Sequence, residues 1–251
     1  MILVENLKKS FGHKAVLKDV SFEVKKGQSL VIMGASGSGK SVTLKCLLGL
    51  MHADAGRARI DGCDVLGGRE ADFAPLRARM GMLFQGAALF DSLPVWENIF
   101  FAPLQEKKMT RAKARALAEE KLTAVGLASQ VADLYPAELS GGMQRRVGLA
   151  RAVVTQPEII FFDEPTAGLD PIISGVINDL IVTNVKELGA TAITITHDMN
   201  SARKVADTIA MLHEGRIIWC GPAKDLDHSG NDFVDQFIHG RTEGPITVER
   251  T

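Results

Sequence analysis

Residues 29–50 read Ser29-Leu-Val-Ile-Met-Gly34-Ala-Ser-Gly-Ser-Gly-Lys40-Ser41-Val-Thr-Leu-Lys-Cys-Leu-Leu-Gly-Leu50, and this stretch decides the fold. Ser29 to Met33 is a short apolar run after a Lys26-Gly27 turn, as expected of a buried strand. The residues from Val42 onward read as a helix. Strand, glycine-rich loop, helix is the setting that a phosphate-binding loop requires, and Gly34 to Ser41 fits G-x-x-x-x-G-K-[ST]. Glycines let backbone N–H groups turn inward around phosphate oxygens, and the helix N-terminus adds positive potential. Lys40 is placed to neutralise the β- and γ-phosphates, and the Ser41 hydroxyl to ligate Mg2+. The expected cofactors are ATP and Mg2+. The expected nucleotide contacts here are Gly34, Ala35, Ser36, Gly37, Ser38, Gly39, Lys40, Ser41 and Val42.

Further along lies a run that would complete such a site, Ile159-Ile-Phe-Phe-Asp163-Glu164. Two acidic residues after a strand usually make a solvated turn. In a chain with a phosphate-binding loop they read as chemistry: Asp163 holding Mg2+ through water, Glu164 as general base toward the attacking water. Other segments repeat the strand character: Ile2–Val4, Val20–Val24, 57–60, 80–84, Thr191–Thr196 and 208–212. Thr110 reads as the N-cap of a helix that Gly126 ends, and Ser140 opens another that Pro157 stops. Alternating strands and helices imply α/β layers with a mainly parallel sheet. Residues 86–156 look mostly helical and form a candidate lobe. The expected division is an ATPase domain over 1–226, with a core at about 1–85 and 157–226, followed by a polar extension over 227–251.

Bulk properties narrow the field. The chain has 251 residues, 46% apolar and 24% charged, with a formal net charge of −1. It has no basic field to hold nucleic acid and no polybasic tract for anionic lipid. Cys46, Cys63 and Cys220 are scattered and odd in number, which fits free thiols in a reducing compartment. The first ten residues lack the order of a signal peptide, and no run approaches the length of a membrane span. A membrane role must therefore come through partner chains.

Leu139-Ser140-Gly141-Gly142-Met143, at a helix start and upstream of Ile159, makes the reading specific. With the two motifs above it resembles the ABC ATPase family over nearly the whole chain. A donor-rich helix N-terminus suits an anion, and a plain helix cap is the alternative. The resemblance implies a P-loop NTPase of α/β class with a RecA-like core, an N-terminal antiparallel β subdomain and a helical subdomain. It implies a head-to-tail dimer of two copies, in which Ser140, Gly141, Gly142 and Met143 cap the ATP held by the other subunit. By the same resemblance Phe11 stacks on adenine, a core phenylalanine being the alternative. Gln85 contacts Mg2+ or the lytic water and faces a permease. Asp170 belongs to the Ala167-Gly-Leu-Asp170 loop that crosses the dimer interface, with Ala167 where many members carry Ser. His197 is the switch histidine on the γ-phosphate, and both Glu164 and His197 being present suggests a competent site.

The stretch from Gly86 through Phe90, Trp96 and Asn98, together with 168–179 and 233–245, resembles the Mla-type phospholipid-transport ATPases of Gram-negative envelopes, also called toluene-tolerance ATPases. That similarity implies a polytopic permease, an MCE-type substrate-binding protein, a STAS-domain partner and lipid cargo, serving outer-membrane lipid asymmetry. The subunit would sit peripherally on the cytoplasmic face of the inner membrane, through the permease. Phe90, Leu93, Trp96 and Phe100 are candidates for the permease groove, with lobe core as the alternative. The tail either reaches the second ATPase subunit or frays. Rival readings are transport of another hydrophobic compound or solute, a nucleotide-gated scaffold that binds ATP without useful hydrolysis, and a non-transport ABC ATPase acting on ribosomes or DNA.

Overall fold

The computed structural model describes residues 2–67 and 70–247. The last four residues of the expected extension, 248–251, lie outside the described residues. Two compact units are present: one runs to Ala74 and resumes at Ile193, and the other is Pro75–Ala192.

The first unit starts with β1 (Ile2–Phe11) and β2 (Lys14–Val24), an antiparallel pair joined at Gly12, where φ is +57°. β4 (Ala55–Ile60) lies antiparallel on the other side of β1, and β5 (Cys63–Asp64) pairs with β4. This is the antiparallel N-terminal layer. β3 (Ser29–Met33) is buried at every position, as its unbroken apolar sequence requires of a strand covered on both faces. β9 (Thr208–His213) runs parallel to β3, with Leu30 opposite Thr208 and Met33 opposite Met211. β8 (Thr191–Thr196) follows β3 in the sheet, and its first two residues belong to the second unit. The order in this unit is therefore β5-β4-β1-β2, then β10 (Arg216–Pro222), β9, β3 and β8.

The sheet is mixed rather than mainly parallel. β9 and β10 are antiparallel, joined through Glu214 (φ +44°) and Gly215 (φ +76°). Two positive φ angles in a two-residue connection are the hairpin geometry that matches strand twist. The unit also holds α1 (Lys40–Leu47), α8 (Met199–Val205) and α9 (Asp232–His239), while the unit boundary falls inside α2 (Glu70–Arg77). Within the expected polar extension, α9 is capped by Asn231, which accepts from the Phe233 and Val234 amides, and ends at Gly240 with φ +61°. Val234 is fully buried, Phe233 lies 5.0 Å from the His213 ring, and Asn231 Nδ2 donates to Ile218 O at 3.0 Å. The segment 232–239 is thus docked rather than frayed.

In the second unit β6 (Met80–Leu83) runs parallel to β7 (Ile159–Asp163). Between them come α3 (Val95–Ile99), α4 (Phe101–Gln105), α5 (Arg111–Ala124) and α6 (Gly141–Val153), so the mostly helical stretch lies inside this unit. Thr110 caps α5 as its sequence suggests, accepting from the Lys113 amide at 3.3 Å. α7 (Pro171–Leu188) follows β7 and closes on Gly189 in the left-handed conformation. Its sequence has proline at N1 and glycine past the end, which suits both termini.

Candidate functional site

The glycine-rich loop leaves β3 at Met33 and enters α1 at Lys40. Gly34 (φ +155°), Gly37 (φ +78°) and Gly39 (φ +111°) hold backbones that a side chain resists. Space is short as well. A Cβ on Gly34 would stand 2.2 Å from Leu212 O and 2.8 Å from Ser38 Oγ. Lys40, 7% exposed, donates from Nζ to Gly34 O at 2.7 Å and Ala35 O at 3.0 Å, so its ammonium is drawn into the loop. Ser38 Oγ is buried without a hydrogen-bond partner among the described residues. A phosphate suits this cradle, since it would accept from the lysine and that hydroxyl together. Ser41 and Val42 are half-buried in the first turn, and Ser36 is exposed.

Phe11 ends β1 and is 48% exposed, with Lys9 Nζ 5.6 Å from its ring centre. It is an accessible aromatic face, and the core alternative is excluded. His197 follows β8 directly and is exposed. Ser201 Oγ donates to Asp198 at 2.5 Å, and Asp198 also caps α8, so the backbone just after His197 is held firmly.

The second unit carries the other candidates. Asp163 is the last residue of β7, and the Glu164 that follows has φ +46° while only 8% exposed. A left-handed, non-glycine backbone costs on the order of 1–2 kcal/mol, a strain that recurs at functional positions. The strand expected over 80–84 stops at Leu83, and Gln85 stands exposed in the turn beyond it. Ser140 caps α6, its Oγ accepting from the Met143 amide at 3.3 Å, which leaves the Gly141 and Gly142 amides at the head of the helix. A Cβ on Gly142 would lie 2.8 Å from Ile173 Cγ2, so this glycine lets α6 approach α7. Asp170 caps α7, with Oδ1 accepting from the Ile172 and Ile173 amides at 3.0 Å. Of the groove candidates, Phe90 is 43% exposed and stacks on Phe101 at 4.3 Å, and Leu93 and Trp96 are half-buried. Phe100 is 2% exposed, so it belongs to the lobe core and lines no groove.

Sequence reasoning missed Arg145. It is 7% exposed on α6 and donates from Nη2 to Ala167 O at 3.0 Å and from Nη1 to Phe84 O at 3.4 Å. One guanidinium therefore spans the residue before Gln85 and the loop before Asp170. Burial pushes its pKa down, and the nearby Asp163 carboxylate opposes that shift. No local pattern announces such a residue, because its acceptors are backbone carbonyls far away in the chain.

The pattern described as ABC transporter matches residues 17–167. Over 98% of this chain and 70% of the relative, the sequence is 39% identical to a probable ribonucleotide transport ATP-binding protein, mkl, of Mycobacterium leprae. It is 40% identical to the chloroplastic protein Trigalactosyldiacylglycerol 3 of Arabidopsis thaliana, over 98% of this chain and 76% of that one. The fold is similar to MJ0796, an ATP-binding cassette solved as a dimer in a post-hydrolysis state with ADP and Pi. The TM-score is 0.81 at 31% identity, covering 89% of this chain and 99% of that one.

Proposed function

The chain belongs to the ABC transporter family, and from that premise we propose that it is the ATP-hydrolysing subunit of a transporter that moves phospholipid across a Gram-negative envelope. The coarser statement is plain: it is an ATPase coupled to transport that binds ATP with Mg2+ and works at the membrane with permease subunits. The observation that carries the nucleotide reading is the closed glycine loop with Lys40 drawn into it.

Each residue has a proposed task. Lys40 and the loop amides hold the phosphates, which is mostly positioning and charge neutralisation. Ser41, Asp163 and Gln85 are each assigned to Mg2+, which, when bound, offsets charge on the phosphate oxygens. Glu164 takes the proton of the attacking water, and His197 contacts the γ-phosphate. Phe11 offers its exposed ring to adenine. Ser140, Gly141, Gly142 and Met143 cap the nucleotide of a second copy, and Asp170 anchors the crossing loop. The proposed ATPase domain spans 1–226, with a core at about 1–85 and 157–226 and a lobe at 86–156, and a C-terminal extension follows from 227.

Phospholipid as cargo rests on the likeness of 86–98, 168–179 and 233–245 to the Mla-type ATPases, and a relative named for a glycerolipid agrees with it. With it come an MCE-type protein, a STAS-domain partner and an inner-membrane location. The mkl relative, named for ribonucleotide transport, favours a second reading with a polar cargo. Isolation from native membranes in mild detergent, with mass spectrometry of companions, separates the two. A permease with an MCE protein and bound phospholipid is expected. A permease that comes with a solute receptor would sink the lipid assignment and leave the motor intact.

A further inference from the structure

Three successive residues after Gln85 have left-handed backbones: Gly86 (φ +80°), Ala87 (φ +64°) and Ala88 (φ +48°). Glycine adopts this freely, but two consecutive alanines do so only when their surroundings hold them there. The holder is α6. Arg151 donates from Nη2 to Ala87 O at 2.5 Å and from Nη1 to Ala88 O at 2.8 Å. One turn earlier on the helix, Gly148 offers bare backbone, where a Cβ would meet Leu83 Cδ1 at 2.8 Å and Ala87 Cβ at 3.0 Å. Ala87 is fully buried in that seat, and its amide donates to Phe84 O at 2.9 Å. Burial lowers the Arg151 pKa, and its guanidinium is given to two carbonyls. The Gln85 side chain, by contrast, is exposed and makes no hydrogen bond among the described residues. Its Cβ is placed by the backbone it stands on, which runs directly into the Gly86–Ala88 turn.

We propose that Arg151 is a positioning residue for ATP turnover, its planar fork holding Gly86–Ala88 in the left-handed turn that aims Gln85. The proposal rests on the reading of Gln85 as a contact to Mg2+ or the lytic water. Arg151→Lys keeps the charge and the stem but loses the fork, and Ala88→Gly removes the conformational cost at an exposed position.

The test uses the full chain purified with its native membrane companions, and follows ATP turnover together with amide exchange at residues 86–89. Arg151→Lys should lower kcat about tenfold while KM for ATP stays within about twofold, and should speed exchange at 86–89. Adding Ala88→Gly should restore most of both. In a Gln85→Ala background, Arg151→Lys should cause no further loss, since both act through one group. Unchanged exchange in Arg151→Lys, a loss that Ala88→Gly leaves in place, or losses that multiply with Gln85→Ala would each overturn the proposal. Normal turnover in Gln85→Ala alone would instead remove Gln85 from the chemistry, and the exchange at 86–89 would still report whether Arg151 holds the turn.

Discussion

Glu164 combines burial, a carboxylate and a left-handed backbone at the end of β7. Its proposed role as base predicts that Glu164→Gln binds ATP normally and turns it over roughly 10²- to 10⁴-fold more slowly, read by phosphate release beside nucleotide binding. Near-normal turnover would assign the proton to another group. Gly34 makes a second residue-level test. Gly34→Ala would drive a methyl to 2.2 Å from Leu212 O, a backbone atom that cannot rotate away. It should cost about 3 kcal/mol in urea unfolding, with nucleotide binding lost alongside. The identities of these two residues were legible, because their motifs are contiguous. The positive φ of Glu164 was not, since a residue's identity does not announce its backbone conformation, and the nearness of Leu212 was not, since it comes from chain that folds back from elsewhere.

At the scale of elements, α6 carries more than its sequence advertises. Its N-terminus was readable from Ser140, whose cap is local chemistry. The rest of its work is done by Arg145, Gly148 and Arg151 against the turn after β6. Helix and strand also approach closely at Gly81, where a Cβ would lie 2.2 Å from Ala152 O and 3.0 Å from Pro157 Cγ. Gly81→Ala is expected to cost about 2–3 kcal/mol by chemical denaturation, despite alanine's smaller backbone entropy loss. A neutral result would mean that α6 slides on β6 freely. Strand and helix periods were enough to locate β3, α5, α6 and β7 within a residue or two. They missed β10, although Ile217–Cys220 is a short apolar run, because a run of four does not by itself distinguish a strand, and pairing with β9 is what makes it one.

For the whole molecule, the C-terminal segment is the clearest instance of burial overruling composition. Residues 227 onward read as a polar tail, yet Val234 and Gln236 are buried. Gln236 pairs through its amide with the Ile246 backbone in both directions, donating at 3.0 Å and accepting at 2.6 Å. Truncation after Ser229 should therefore destabilise the chain by about 2–3 kcal/mol, measured as a lower urea midpoint, where a frayed tail would leave the midpoint unchanged. The sequence by itself determined the α/β class and the glycine-rich loop, because each is written in adjacent residues whose spacing carries its own physics, and the family was legible as a resemblance of its motifs. Only the tertiary structure decided that Phe11 is exposed, that Phe100 is core, that α9 docks, and that two arginines of α6 hold the backbone on either side of Gln85. Those facts depend on which distant carbonyls, rings and Cβ positions come within a few ångströms, and no local pattern encodes that distance.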